Sequence, residues 1–136
     1  MSATQNLAYA VVQLAHNFGA VAAVGGSLAA LRLRDVNTRK FLAKLALAGW
    51  VTQGASGAAF GATSYYFYGR LPDIAGIAVA ALIIKVTCVA IGFVLLAAYV
   101  FRSDKWTPTK INAAWIASSA LAVTALSAAA FLRWFS

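Results

Sequence analysis

Few side chains in this chain can do chemistry. It has one histidine, His16, one cysteine, Cys88, and three acidic residues, Asp35, Asp73 and Asp104. The charge that stands out is Lys85, near the middle of the apolar run IAGIAVAALIIKVTCVAIGFVLLAAYVF, residues 74–101. A charge at the centre of a bilayer costs roughly 2.5–3.5 kcal/mol on insertion scales, so such a lysine faces a partner or a cavity. No aspartate or glutamate lies inside an apolar run, so the chain holds no counter-charge at that depth. Three answers stay open: a neutral amine, a carboxylate from another subunit, or an acidic group on a bound lipid or cofactor, such as a haem propionate.

His16 carries the second half of the chemistry. A helix-borne histidine can hold haem iron within a helix bundle, which makes His16 the candidate metal ligand. With a rise of about 1.5 Å per residue, His16 lies about 15 Å below the outer end of its helix and Lys85 about 16 Å below the outer end of another. The two can therefore share one site, and they form the candidate cofactor-binding pair. The second ligand to a haem b would be Lys85 in its neutral form, a histidine from a second protomer, or none. Gln13, Asn17, Thr52, Gln53 and Ser56 are the polar residues able to line such a pocket. The plainer alternative makes His16 a packing residue hydrogen-bonded across helices and lets Lys85 snorkel, although Lys85 lies far from either end of its run.

Other chemistries lack parts. One histidine and one cysteine are too few for a zinc site, and an oxygen-rich metal site lacks carboxylates. A serine nucleophile has no clear base and orienting acid, so Ser118 and Ser119 read as a polar patch between helices. A small multidrug exporter would need a membrane-embedded carboxylate to exchange protons for a cation.

The elements that must position these residues are membrane helices. The chain is 62% hydrophobic and 10% charged, against roughly 45–50% and 25% in soluble domains. Four apolar runs, about 7–33, 41–68, 74–101 and 111–135, are too long for barrel strands and do not alternate. Short connections make neighbours antiparallel. The expectation is an all-α fold: one transmembrane domain, a four-helix up-down bundle in a bacterial inner membrane. The first run is read as a retained span and not a cleaved signal, since no basic region precedes it.

The net charge of +8 sits mostly at the ends of the runs, where it sets topology and meets anionic lipid. No basic, aromatic-interleaved soluble surface exists for nucleic acid. The first and third connections hold Arg32, Arg34, Arg39, Lys40, Lys44, Arg102, Lys105 and Lys110, which places them inside and both termini outside. Tyr65, Tyr66, Phe67, Tyr68, Trp106 and Trp134 read as interfacial anchors, and Trp50 and Trp115 as core. Gly57 and Gly61 form a GxxxG, and Gly19, Ala23 and Gly26 share a face with His16, so both stripes are candidate sites of close helix approach.

The combination of His16 within LAHNFGAVAAVGG, the basic loop RLRDVNTRK and Lys85 within ALIIKVTCVAIG resembles the HemJ-type protoporphyrinogen oxidases and copper-resistance-D-like membrane proteins. That resemblance implies four helices and haem b, with His16 as an axial ligand and Lys85 as a second ligand or haem contact. Two classes of function follow. One is a haem b redox protein or haem-linked subunit. The other is a non-catalytic accessory subunit of a larger membrane complex or homo-oligomer, whose partner supplies the carboxylate for Lys85. A small transporter stands third, and the sequence alone does not decide whether the protein is an enzyme.

Overall fold

The fold is all-helical. The computed structural model describes residues 2–136 and contains four long helices: α1 (Ala3–Arg32), α2 (Val36–Tyr68), α3 (Ile77–Arg102) and α4 (Pro108–Phe135). A single 3-10 turn, Ser103–Lys105, follows α3. α1, α3 with its 3-10 extension and α4 are long and apolar enough to cross a membrane. α2 has the length, 33 residues, but its Thr, Gln, Ser and Gly residues leave it less apolar than the other three.

Capping chemistry sets where the helices start. The Ser2 hydroxyl accepts from the Gln5 amide, so α1 begins before its apolar run. Asp35 accepts from the Thr38 amide at 2.9 Å and the Thr38 hydroxyl at 3.0 Å, which starts α2 at Val36. These bonds hold the Asp35 carboxyl below its ordinary pKa. Thr107 accepts from the Lys110 amide, with Pro108 at the first helical position of α4. α3 begins late, after Pro72 and after Gly76 at φ +55°. Gly69, at φ +66°, ends α2.

α1 packs mainly on α2, and α3 on α4; smaller contacts between α2 and α3 and between α1 and α4 close the bundle. The closest approach lies between α1 and α2. A Cβ on Gly49 would stand 2.5 Å from the Ala23 nitrogen and 2.8 Å from the Gly19 carbonyl oxygen. Small residues are what permit backbones to come this near. The GxxxG pair in α2 does not do so. Nothing lies within 4 Å of a Cβ at Gly57, and Gly61 reaches only the Leu71 side chain at 3.7 Å. The face of α1 that carries Gly19, Ala23 and Gly26 is buried, in keeping with its spacing.

Two tryptophans fill the interior. Trp50 lies flat against Gly92 of α3, where any β-carbon would overlap the indole. Trp115 is fully buried and stacks edge-on to Tyr99, with ring centroids 4.9 Å apart. Tyr99 in turn meets Trp106, and the Lys110 ammonium sits 4.5 Å over the Trp106 ring. Trp106 is thus tied into the core rather than free at a surface, whereas Trp134 is 85% exposed.

Ser27 and Ser118, both completely buried, share a hydrogen bond of 2.7 Å that ties α1 to α4. Removing one hydroxyl strands the other. Ser27→Ala alone should therefore lower stability by about 1 kcal/mol, while Ser27→Ala with Ser118→Ala should recover part of that loss. Unfolding of the purified single and double variants measures the difference.

At the basic end of the bundle, Arg39 is not a loop cation. It lies in the first turns of α2 and is buried, with Nε donating to the Ala30 carbonyl at 3.0 Å and Nη1 to Asn112 Oδ1 at 3.1 Å. Lys40 forms an exposed ion pair with Asp104 at 2.8 Å, which raises the lysine pKa.

Candidate functional site

Deeper within the bundle, away from the basic end, three helices each contribute polar groups. α1 brings His16, α2 brings Gln53 and Ser56, and α3 brings Lys85. The close α1–α2 approach at Gly49 and Gly19 sets the geometry. It lets the Gln53 side-chain amide reach the main-chain carbonyl of His16 at 2.5 Å. One turn further along α2, the Ser56 hydroxyl meets His16 Nδ1 at 2.7 Å.

The proton positions follow from the donor count. Ser56 has a single hydroxyl proton, and its Oγ also contacts the Thr52 carbonyl at 2.5 Å. A carbonyl only accepts, so Ser56 donates to Thr52 and accepts from His16 Nδ1–H. That fixes the imidazole with its lone pair on Nε2. Lys85 Nζ stands 2.8 Å from Nε2 and donates to it. The result is a relay across three helices, from Lys85 through His16 and Ser56 to the backbone of α2.

The Phe60 ring closes one side, edge-on to the imidazole at 5.6 Å, and is itself stacked on Tyr9 at 6.4 Å. On another side lies a recess of about 160 Å³, walled by His16, Gln13, Asn17 and Gln53, by Trp50, and by the alanines of α4. Gln13 donates to Asn17 Oδ1 at 2.6 Å. Cys88, buried one turn from Lys85, is free.

His16 and Lys85, expected at one depth, do meet, and Gln53, Gln13 and Asn17 lie around the same point. Within the chain the partner of Lys85 is the His16 imidazole, a contact that adds to the answers expected from the sequence and replaces none of them. Phe60 is a further member that the sequence did not single out, although its place one turn beyond Ser56 puts it on the same face of α2. Among the described residues no three His, Cys, Asp or Glu side chains converge on a point.

A histidine imidazole is a donor type that haem iron takes, and here it is closed on Lys85. Two nitrogen donors on different helices face one another, and the imidazole is held by its second nitrogen, as metal-ligating histidines usually are. The spacing is that of a closed pair. Nitrogens 2.8 Å apart are hydrogen-bonded, and the recess is smaller than the roughly 300–1,000 Å³ of ordinary small-molecule pockets. The flexible four-carbon stem of Lys85 gives the pair freedom to part.

No protein-family model, curated protein or solved structure matches the chain. Its class rests on its own fold and chemistry. It is an all-helical membrane protein with three helices fit to cross a bilayer and a His–Lys–Ser relay within the bundle.

Proposed function

We propose that this chain is a small haem b protein of a bacterial inner membrane, acting in electron transfer alone or as a haem-linked subunit. In this reading all four helices span, with the polar Gln53, Ser56 and Ser64 of α2 turned inward, and both termini lie outside because the basic connections favour the inside. The observation that carries the haem reading is the facing pair, His16 Nε2 and Lys85 Nζ. His16 and Lys85 would hold the iron. Ser56 would keep the imidazole in the binding tautomer, and Gln53 would fix the turn of α1 that carries it. Bound haem supplies one-electron redox chemistry. The resemblance to HemJ-type and copper-resistance-D-like proteins points the same way.

The test is loss of chromophore without loss of insertion. His16→Ala should remove bound haem while the protein still enters the membrane. Ser56→Ala should weaken haem retention about tenfold without abolishing it, as expected for a group that orients a ligand. Haem binding left intact in His16→Ala would refute the assignment.

A second reading draws on the closed spacing itself. A 2.8 Å pair with no carboxylate beside it suits an accessory subunit whose partner neutralises Lys85. That reading predicts a colourless protein, and a Lys85→Met variant that no longer co-purifies with its partner.

A further inference from the structure

We infer that the end of the bundle opposite the His16–Lys85 pair holds the phosphate of an anionic phospholipid, with Arg39 as the anchoring residue. This does not depend on the haem reading, since it concerns different residues at the other end of the fold.

The starting observation is a buried charge without a counter-charge. Arg39 is only 7% exposed, yet both of its hydrogen bonds go to neutral acceptors, the Ala30 carbonyl and Asn112 Oδ1. A buried ion is costly unless it is paired and its donors are satisfied. The chain cannot supply the pair. Of its three acidic residues, Asp35 is engaged with Thr38, Asp104 with Lys40, and Asp73 lies in the connection at the far end.

The guanidinium has five N–H donors in a planar fork that matches phosphate. One hydrogen on Nε and one on Nη1 are used, which leaves three. The buried polar atoms that lack any partner are Gln5 Nε2, Trp50 Nε1, Trp115 Nε1 and Ser119 Oγ. Arg39 Nη2 makes no bond and is not among them, so it keeps an opening to the surroundings.

The neighbourhood favours an anion at the membrane surface. Arg32, Arg34, Arg102, Lys105 and Lys110 lie at this end, against only Asp35 and Asp104. The Lys110 ammonium lies 4.5 Å over the Trp106 ring, a further cation fixed at this end of the bundle. Basic pockets between helices at such a level suit acidic headgroups. A phosphate received by Nη2 would complete the fork and neutralise the buried charge. It would also join α1, α2 and α4, the three helices Arg39 already touches or belongs to.

The experiment is native mass spectrometry of the full chain, titrated with phosphatidylglycerol, phosphatidylcholine or inorganic phosphate. The wild type should retain phosphatidylglycerol about tenfold better than phosphatidylcholine, the scale of one charge-assisted fork. Arg39→Gln should lose that preference. Asn112→Asp is the second arm: it sets a carboxylate beside Nη1, neutralises Arg39 from within, and should lose the preference while keeping the melting temperature. No preference in the wild type, or an unchanged preference in both variants, would overturn the proposal. Displacement of phosphatidylglycerol by millimolar inorganic phosphate would overturn the lipid assignment and leave a free-phosphate site.

Discussion

Gly49→Ala lowers the unfolding free energy of the protein by about 3 kcal/mol, at the upper end of what overpacking a tight interior costs. The reason is the identity of the atoms that would be struck. The new methyl group meets the Ala23 nitrogen at 2.5 Å, the Gly19 carbonyl oxygen at 2.8 Å and the Ala23 Cα at 3.0 Å. All belong to the backbone of α1, so no rotamer change relieves them, and the two helices must separate. Separation also loosens the Gln53 bond to the His16 carbonyl and the Ser56 bond to the imidazole, so the site should suffer along with the fold. Gly57→Ala is the control. It meets nothing within 4 Å and gains helix propensity, so it should be neutral or slightly stabilising. Denaturant unfolding of the detergent-solubilised variants measures both. Equal stability of the two variants would mean that α1 and α2 do not approach as closely as described.

The second large effect separates function from stability at a single residue. Lys85→Met keeps most of the length of the side chain and removes the charge. Relief of a charge at membrane depth contributes roughly 2.5–3.5 kcal/mol, and the lost hydrogen bond to His16 costs about 1 kcal/mol. The haem-free variant should therefore be more stable than the wild type by about 1.5–2.5 kcal/mol. Haem retention should move the opposite way, because one of two facing nitrogen donors is gone. A residue kept only for packing behaves differently: its loss would weaken the fold and leave any chromophore untouched. Unfolding of the haem-free protein and the absorbance of the purified protein are the two readouts, and a destabilised variant with full chromophore contradicts the haem assignment.

Depth is legible in the sequence; angular position around the bundle is not. A fixed rise per residue is enough to place His16 and Lys85 at one level, and their nitrogens do lie 2.8 Å apart. That rise cannot show that the imidazole is the partner of Lys85, because the pairing depends on which way α1 and α3 are rotated. The glycines teach the same lesson. Gly57 and Gly61 look like a packing motif, yet the close contact falls on Gly49 and Gly19, since only the rotation of α2 against α1 decides which stripe faces inward. Apolar runs report where lipid-like sequence begins. Helices begin where a side chain can satisfy the first free amides, which is why Ser2, Asp35 and Thr107 start α1, α2 and α4 ahead of their apolar runs. Arg39 is the least legible residue. In the sequence it reads as one of the cations of the first connection, and only its burial and its carbonyl and Asn112 partners show it to be interior.

Whether the His16–Lys85 pair holds a haem is tested most directly by an absorption spectrum. The protein is purified in detergent after expression with ample haem supply, and its spectrum is recorded oxidised and then reduced with dithionite. The expected result is a Soret band with α and β bands that sharpen on reduction, absent from His16→Ala. A colourless wild-type protein under those conditions would contradict the haem assignment and would turn attention to the partner that answers Lys85.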